Sequence, residues 1–275
     1  MPAKLDDAVF GFMKDAAEKL ILPKFRLLER HEVRDKSVGE LVTTADLEAE
    51  AFLSDALAKL LPEAKIVGEE AASEDAAVMN QLSEGLCWII DPLDGTNNFA
   101  NGTGPFGIMV ALTKFGEVIG GWILDPLTGR RCSASLGSGS RINGEKVFSK
   151  ASGQTPKLLA MSSLYGSVTD RELLRHAFEG MYQLSEIPRC AAEQYPRMTL
   201  GQSDITLFGR TLAWDHAAGS LFVSEAGGYV ARKNGDPYRV DQTGSGLIVA
   251  TDHDTWEQFS VQLNEFERVA KGVPV

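Results

Sequence analysis

The sequence predicts a mixed α/β fold, and three observations predict it. Short apolar runs end in acidic or glycine-bearing turns, as at Ile66-Val67-Gly68 and Cys87-Trp88-Ile89-Ile90, the mark of buried strands. Longer stretches carry apolar residues at helical spacing, the first being Leu5, Val9, Phe12, Ala16 and Leu20. In the second half, strand-like and helix-like stretches alternate, as in layered α/β proteins.

Taken in order, a first helix is predicted from Leu5 to about Leu28. A second spans 44–61, with Ala45, Leu47, Ala51, Leu53, Leu57 and Leu60 at apolar positions and Pro62 beyond its end. Strands are predicted near 64–68 and 86–91. Pro92 has no backbone N–H and is expected to end the ladder of the second. Phe106–Phe115 and Glu117–Leu124 read as a hairpin around Gly116, followed by strands near 130–135 and 140–148. Then come strand 157–162, helix 170–180, strand 182–187, helix 191–200, strand 203–208, helix 215–226, strand 246–250 and helix 253–270. The stretch Ala151-Ser152-Gly153-Gln154-Thr155-Pro156 is read as the boundary between an N-terminal lobe, 1–150, and a C-terminal lobe, 151–275. No repeat or low-complexity tract appears.

Composition restricts the class of function. At 275 residues, 44% hydrophobic and 24% charged, the chain is ordinary for a globular enzyme with a sizeable core. A net charge of -11 and a pI near 4.9 argue against nonspecific nucleic-acid binding, which needs a basic footprint. Met1 to Asp7 lacks the basic and apolar regions of a signal peptide, and no apolar run approaches a membrane span; a cytoplasmic location is expected. Cys87, Cys132 and Cys190 form neither a zinc motif nor a disulfide framework. Cys87 reads as a core hydrophobe, and no base beside Cys190 suggests a nucleophile. His31, His176, His216 and His253 are not spaced as metal ligands. A helix turns His216 about 100° from Asp215, so it is expected on the helix surface or behind the site.

The chemistry concentrates in three acidic segments. Asp91-Pro92-Leu93-Asp94-Gly95-Thr96 follows an apolar strand, Glu69 and Glu70 follow another, and Asp215 opens the small-residue helix Trp214-Asp215-His216-Ala217-Ala218-Gly219. Mg²⁺ takes hard oxygen ligands in near-octahedral geometry, and carboxylates from three segments suffice to hold a pair of such ions. Simpler roles exist for each residue. Asp215 suits a helix N-cap, Asp46 suits capping of helix 44–61, and Thr96 suits capping of a short helix. Glu70 is read as a solvated charge or an outer support rather than a ligand.

These segments resemble the signature motifs of the inositol monophosphatase family. The match includes Thr43-Thr44-Ala45-Asp46, Gly68-Glu69-Glu70, Trp88 through Phe99, Trp214 through Gly219, and Ser224-Glu225-Ala226-Gly227-Gly228, in family order along nearly the whole chain. The resemblance implies a layered αβαβα sandwich of the inositol monophosphatase/fructose-1,6-bisphosphatase kind. It implies a Mg²⁺-dependent, lithium-sensitive phosphomonoesterase, usually a homodimer. Glu69, Asp91 and the Leu93 carbonyl would hold one Mg²⁺, and Asp91, Asp94 and Asp215 a second, with a third, weaker ion near Glu69. A metal-activated water would attack phosphorus directly. Thr96, hydrogen-bonded to Asp46, would take its proton, with Glu69 completing the catalytic set. Gly95 and Thr96 would bind phosphate through backbone N–H groups. Haloacid-dehalogenase phosphatases separate their two aspartates by one residue, whereas Pro92 and Leu93 separate Asp91 from Asp94 here; no P-loop or Gly-x-Ser-x-Gly elbow is present either.

Substrate contacts are expected from Asp94, Arg189, Ala191, Phe208 and Asp215. Inositol-specific relatives carry an acid seven residues before the Trp-Asp aspartate, and here that position is Phe208, which accepts no hydroxyl hydrogen bond. Arg189 suits a second anionic group or a surface ion pair, and Glu193 and Gln194 are expected on the same rim. The reading is therefore a phosphatase of a small sugar, polyol or amino-alcohol phosphate, histidinol phosphate included. A phosphatase of a 3′-phosphoadenosine nucleotide or fructose bisphosphate is the alternative, and a non-catalytic regulatory member of the fold is a third. Small phosphorylated metabolites are the expected partners, not nucleic acid or membrane.

Overall fold

Residues 3–37, 40–242 and 244–270 are described by the computed structural model. In chain order they form α1 (Ala3–Ala16), β1 (Val33–Ser37), β2 (Glu40–Thr43), α2 (Thr44–Leu60), β3 (Lys65–Gly68), α3 (Glu69–Glu74), β4 (Leu86–Asp94), α4 (Thr96–Ala100), β5 (Gly107–Lys114), β6 (Glu117–Leu124), β7 (Arg131–Ser135), β8 (Gly139–Ile142) and β9 (Glu145–Val147). The second half adds β10 (Leu158–Met161), α5 (Val168–Phe178), β11 (Gln183–Glu186), α6 (Ala191–Thr199), β12 (Ile205–Arg210), α7 (Ala213–Glu225), β13 (Tyr229–Arg232), β14 (Ser245–Ala250) and α8 (His253–Ala270).

Period-2 alternation along the strands builds the layers. One seven-stranded sheet runs β3-β4-β5-β6-β7-β8-β9, and only its β3–β4 pair is parallel. On β4, Trp88 and Ile90 face α1 and α2, where they pack with Val9, Met13, Leu53 and Leu57. Cys87 and Ile89 face the other way, with Tyr195 of α6 and Ala217, Leu221 and Phe222 of α7. Beyond those helices lies a five-stranded sheet, β11-β10-β12-β14-β13. Phe208, Leu247 and Val249 point inward to the same core, while Leu207 and Ile248 point outward to Leu174, Phe178, Phe259 and Leu263 of α5 and α8. The result is the expected αβαβα sandwich.

Several expected elements shift, each for a local reason. The first helix ends before Leu28: α1 widens into a π turn over Ala17–Ile21 and tightens into a 3₁₀ turn over Leu22–Lys24. Pro23 offers no N–H to the preceding turn, and its ring crowds that turn's carbonyl. Pro92 does not end its strand, which continues to Asp94 through a register shift. The strand expected near 140–148 is two strands, because Asn143 and Gly144 both take positive φ, 51° and 86°, and close a hairpin. The β1–β2 hairpin and β13 were not expected. β1 reads Val-Arg-Asp-Lys-Ser, too polar to signal a strand by pattern.

Candidate active site

The register shift in β4 is what brings the first two acids together. Asp91 pairs with Met109 and Asp94 with Gly107, so three steps on β4 oppose two on β5. On a regular strand, residues three apart point to opposite faces. The extra residue at the bulge cancels that offset, and Asp91 and Asp94 line the same cleft. Asp91 is 1% exposed, and its Oδ1 accepts the Leu93 N–H at 3.0 Å. Asp94 accepts the Ala192 N–H at 2.6 Å, which ties the end of β4 to the start of α6. Gly95 then turns the chain with φ 87°, and an added Cβ would stand 2.9 Å from the Pro105 carbonyl.

Thr96 opens α4, and its hydroxyl lies 2.9 Å from Asp46 Oδ1 and 2.9 Å from the Leu93 carbonyl. Asp46 is completely buried in the first turn of α2. Its Oδ2 accepts the Thr43 N–H at 2.8 Å and the Thr43 hydroxyl at 2.5 Å, completing a capping box. Asp46 thus caps α2 and holds Thr96 with separate oxygens. Burial, countered by these hydrogen bonds and reinforced by the charge of Glu69, lifts its pKa to about 6.

Glu69 and Glu70 begin α3. Glu50 of α2 caps that helix, accepting the N–H groups of Glu70 and Ala71 at 2.8 Å each. Lys36 of β1 reaches across to Glu69 at 2.9 Å and to Glu70 at 2.6 Å. Glu70 is therefore not a solvated surface charge: it is 5% exposed and paired, and burial pushes its pKa up to about 8 against the opposing pull of Lys36. Lys36 was missed by sequence reasoning, and nothing local marks a lone lysine in a polar segment as the partner of acids far along the chain.

Asp215 sits in the first turn of α7 but is not its N-cap, which is Leu212. His216 is 2% exposed, not on the helix surface, and burial pushes its pKa down to about 4. Glu193 and Gln194 do not reach the rim. Glu193 pairs with Arg130 at 2.5 Å and Arg197 at 2.6 Å, and the Gln194 amide donates to Ser203 and Thr206 in the interior.

A cleft of about 300 Å³ is lined by Glu69, Asp91, Leu93, Asp94, Gly95, Thr96, Arg189, Ala191, Phe208 and Asp215. Asp46 stands just behind Thr96. Arg189 is exposed and takes φ 54°. Phe208 is stacked on Tyr195, with centroids 5.2 Å apart, and meets the edge of His216 at 4.7 Å. A larger groove of about 1140 Å³ shares only Leu164 and Arg210 with the cleft and contains none of these acids.

The electrostatics of the cleft favour a cation. Burial raises the pKa of Asp91 well above the usual range, and the charges of Glu69, Asp94 and Asp215 push it further. Asp215 is raised in the same way, opposed by Arg210 and Lys36. Asp94 rises to about 6 through burial and Glu69, against the Ala192 hydrogen bond. Among the described residues no three Asp, Glu, His or Cys side chains are drawn into a closed metal-binding group. The acids stand instead along the walls, Asp91 and Asp94 held by backbone N–H groups and Glu69 by Lys36. This open set of hard oxygen donors fits a divalent ion completed by water and phosphate.

A model of the inositol monophosphatase family matches residues 2–267. A fructose-1,6-bisphosphatase/inositol-1-monophosphatase of Thermotoga maritima is 31% identical over 203 residues, 73% of this chain and 75% of that one. The Nus factor SuhB of Xylella fastidiosa is 31% identical over 238 residues, 83% of this chain and 82% of the other. Among solved structures, an inositol monophosphatase of Zymomonas mobilis superposes with a TM-score of 0.77 at 25% identity, covering 96% of this chain and all (100%) of that one.

Proposed function

Because this chain belongs to the inositol monophosphatase family, we propose that it is a Mg²⁺-dependent phosphomonoesterase that hydrolyses a small sugar, polyol or amino-alcohol phosphate by direct attack of water. The observation that carries this reading is the convergence of Glu69, Asp91, Asp94 and Asp215 on one cleft with the Thr96 hydroxyl. Glu69, Asp91 and the Leu93 carbonyl would hold one Mg²⁺, and Asp91, Asp94 and Asp215 a second, with a weaker third near Glu69. When bound, Mg²⁺ neutralises phosphate charge and acidifies water.

The chain's own groups supply the rest. The Thr96 hydroxyl has one proton and two acceptors, Asp46 and the Leu93 carbonyl. Donating to Asp46 leaves its oxygen lone pairs free to receive the proton of an attacking water, and frees the Leu93 carbonyl for a cation. Asp46, wholly desolvated and raised to about 6, suits the terminal acceptor of that relay. The N–H groups of Gly95 and Thr96 serve the phosphoryl oxygens. Phe208, fixed between Tyr195 and His216, offers the leaving group a hydrocarbon face, which disfavours myo-inositol. Arg189 on the same cleft suits a second anionic group, the feature that favours a nucleotide or sugar bisphosphate as the alternative substrate.

No helix of the described residues is long and apolar enough to cross a membrane. A homodimer is carried over from the family. The SuhB name of one relative favours a second reading, a regulatory role without turnover. Retention of all four cleft carboxylates weighs against it. Phosphate release from inositol 1-phosphate, histidinol phosphate, fructose 1,6-bisphosphate, 3′-phosphoadenosine 5′-phosphate and glycerol 2-phosphate tests the proposal. One strongly preferred ester is expected; release from none would favour the second reading.

A further inference from the structure

Tyr195 is wholly buried and His216, at the wall of the cleft, nearly so; both flank Phe208, and neither is assigned a metal or a proton above. Tyr195 lies on α6, one turn after Ala192, and is 0% exposed. Its hydroxyl is 2.8 Å from His216 Nδ1. His216 Nε2 is 2.9 Å from the Arg210 carbonyl, at the end of β12. A carbonyl only accepts, so Nε2 carries the imidazole proton, Nδ1 is the acceptor, and the Tyr195 hydroxyl donates to it. Ser220 lies 3.4 Å from the same hydroxyl. The contact needs a helix without a side chain at Gly219, since a Cβ there would stand 2.0 Å from the Tyr195 ring. The sequence has therefore cleared one turn of α7 to seat a tyrosine of α6.

The two residues complete a connection across the site. Asp94 is bonded to the Ala192 N–H at the start of α6. Tyr195, one turn along α6, is bonded to His216, and His216 directly follows Asp215 at the start of α7. His216 also fastens the β12–α7 turn through the Arg210 carbonyl. We infer that Tyr195 and His216 are positioning residues that set the separation of Asp215 from Asp94 by locking the start of α7 to α6. The inference rests on the reading that Asp94 and Asp215 share a cation. A pair of repelling carboxylates has no reason of its own to stay in register, so the register comes from the helices that carry them.

Mg²⁺ binding by titration calorimetry, with thermal unfolding in EDTA, separates positioning from bulk stability. The chains are the wild type, Tyr195→Phe, His216→Gln, the double variant, and Thr113→Val. Thr113 is a control whose buried hydroxyl donates to the Cys87 carbonyl at the far end of β4. Tyr195→Phe is expected to weaken Mg²⁺ binding on the order of tenfold, the scale seen when partners of metal ligands are removed. His216→Gln keeps a donor for Arg210 but no acceptor placed as Nδ1, so it should match Tyr195→Phe. The double variant should be no weaker than either, since all three break one hydrogen bond. Thr113→Val should lose stability without weakening Mg²⁺ binding. Wild-type affinity in Tyr195→Phe, or an equal loss in Thr113→Val, would overturn the inference. A wild type that binds no Mg²⁺ would overturn the proposed function itself, and this inference with it.

Discussion

The Asp46 carboxylate divides its two oxygens between two tasks: Oδ2 caps α2 through Thr43, and Oδ1 lies 2.9 Å from the Thr96 hydroxyl. If the hydroxyl relays a proton, Thr96→Ser should keep activity within about tenfold, while Thr96→Ala should lose about 10²–10⁴-fold in kcat. Steady-state kinetics at saturating Mg²⁺ checks this. Near-normal turnover in Thr96→Ala would remove the relay.

The raised pKa of Asp46 also makes a stability prediction. In the unfolded chain its carboxyl titrates near 3.8, and in the folded chain at about 6. Between those values the folded state binds more protons than the unfolded state, so stability falls as pH rises from about 4 to 6 and then levels. Asp46→Asn lacks this loss. The stability advantage of wild type over Asp46→Asn in EDTA should therefore shrink across that window, by up to about 3 kcal/mol. Urea titrations at several pH values measure it. An advantage that grows with pH would contradict the assignment.

Lys36 neutralises acids that would otherwise face one another. Above about pH 8, where Glu70 is ionised, Lys36→Met keeps most of the side-chain stem but leaves Glu70 buried without its cation. Breaking such a pair costs on the order of 3 kcal/mol, a fall in Tm of roughly 5–10 °C. Added Mg²⁺ should raise Tm more in the variant than in wild type, because a divalent ion beside Glu69 replaces part of the lost charge. Equal Mg²⁺ responses would mean that no ion binds there.

Much of this site was legible in the sequence. Asp91, Asp94, Gly95 and Thr96 belong to one short motif, so their meeting in one cleft was expected, although the bulge that turns Asp91 and Asp94 to the same side was not. Glu69 and Asp215 each stand where an apolar strand or small-residue helix presents an acid. The supporting contacts were not legible, because tertiary packing makes them. Lys36 meets Glu70 across 34 positions and Tyr195 meets His216 across 21, and neither pair leaves a periodic trace. The bulge at Pro92 was misread for a related reason. A proline that ends a ladder and one that sits in a bulge look alike until the partner strand is known.

The central claim is that Asp94 serves a cation rather than the fold. Asn at position 94 can still accept the Ala192 N–H, and it removes one of the mutually repelling charges. Asp94→Asn should therefore unfold in EDTA at a temperature equal to or above that of wild type. The most direct measurement is phosphate release from the preferred ester by wild type and Asp94→Asn, each with Mg²⁺ and with EDTA. Release by wild type that requires Mg²⁺, and that falls at least about 10²-fold in the folded Asp94→Asn variant, is the predicted result. Release that persists in EDTA, or an Asp94→Asn variant with near-normal activity, would contradict it.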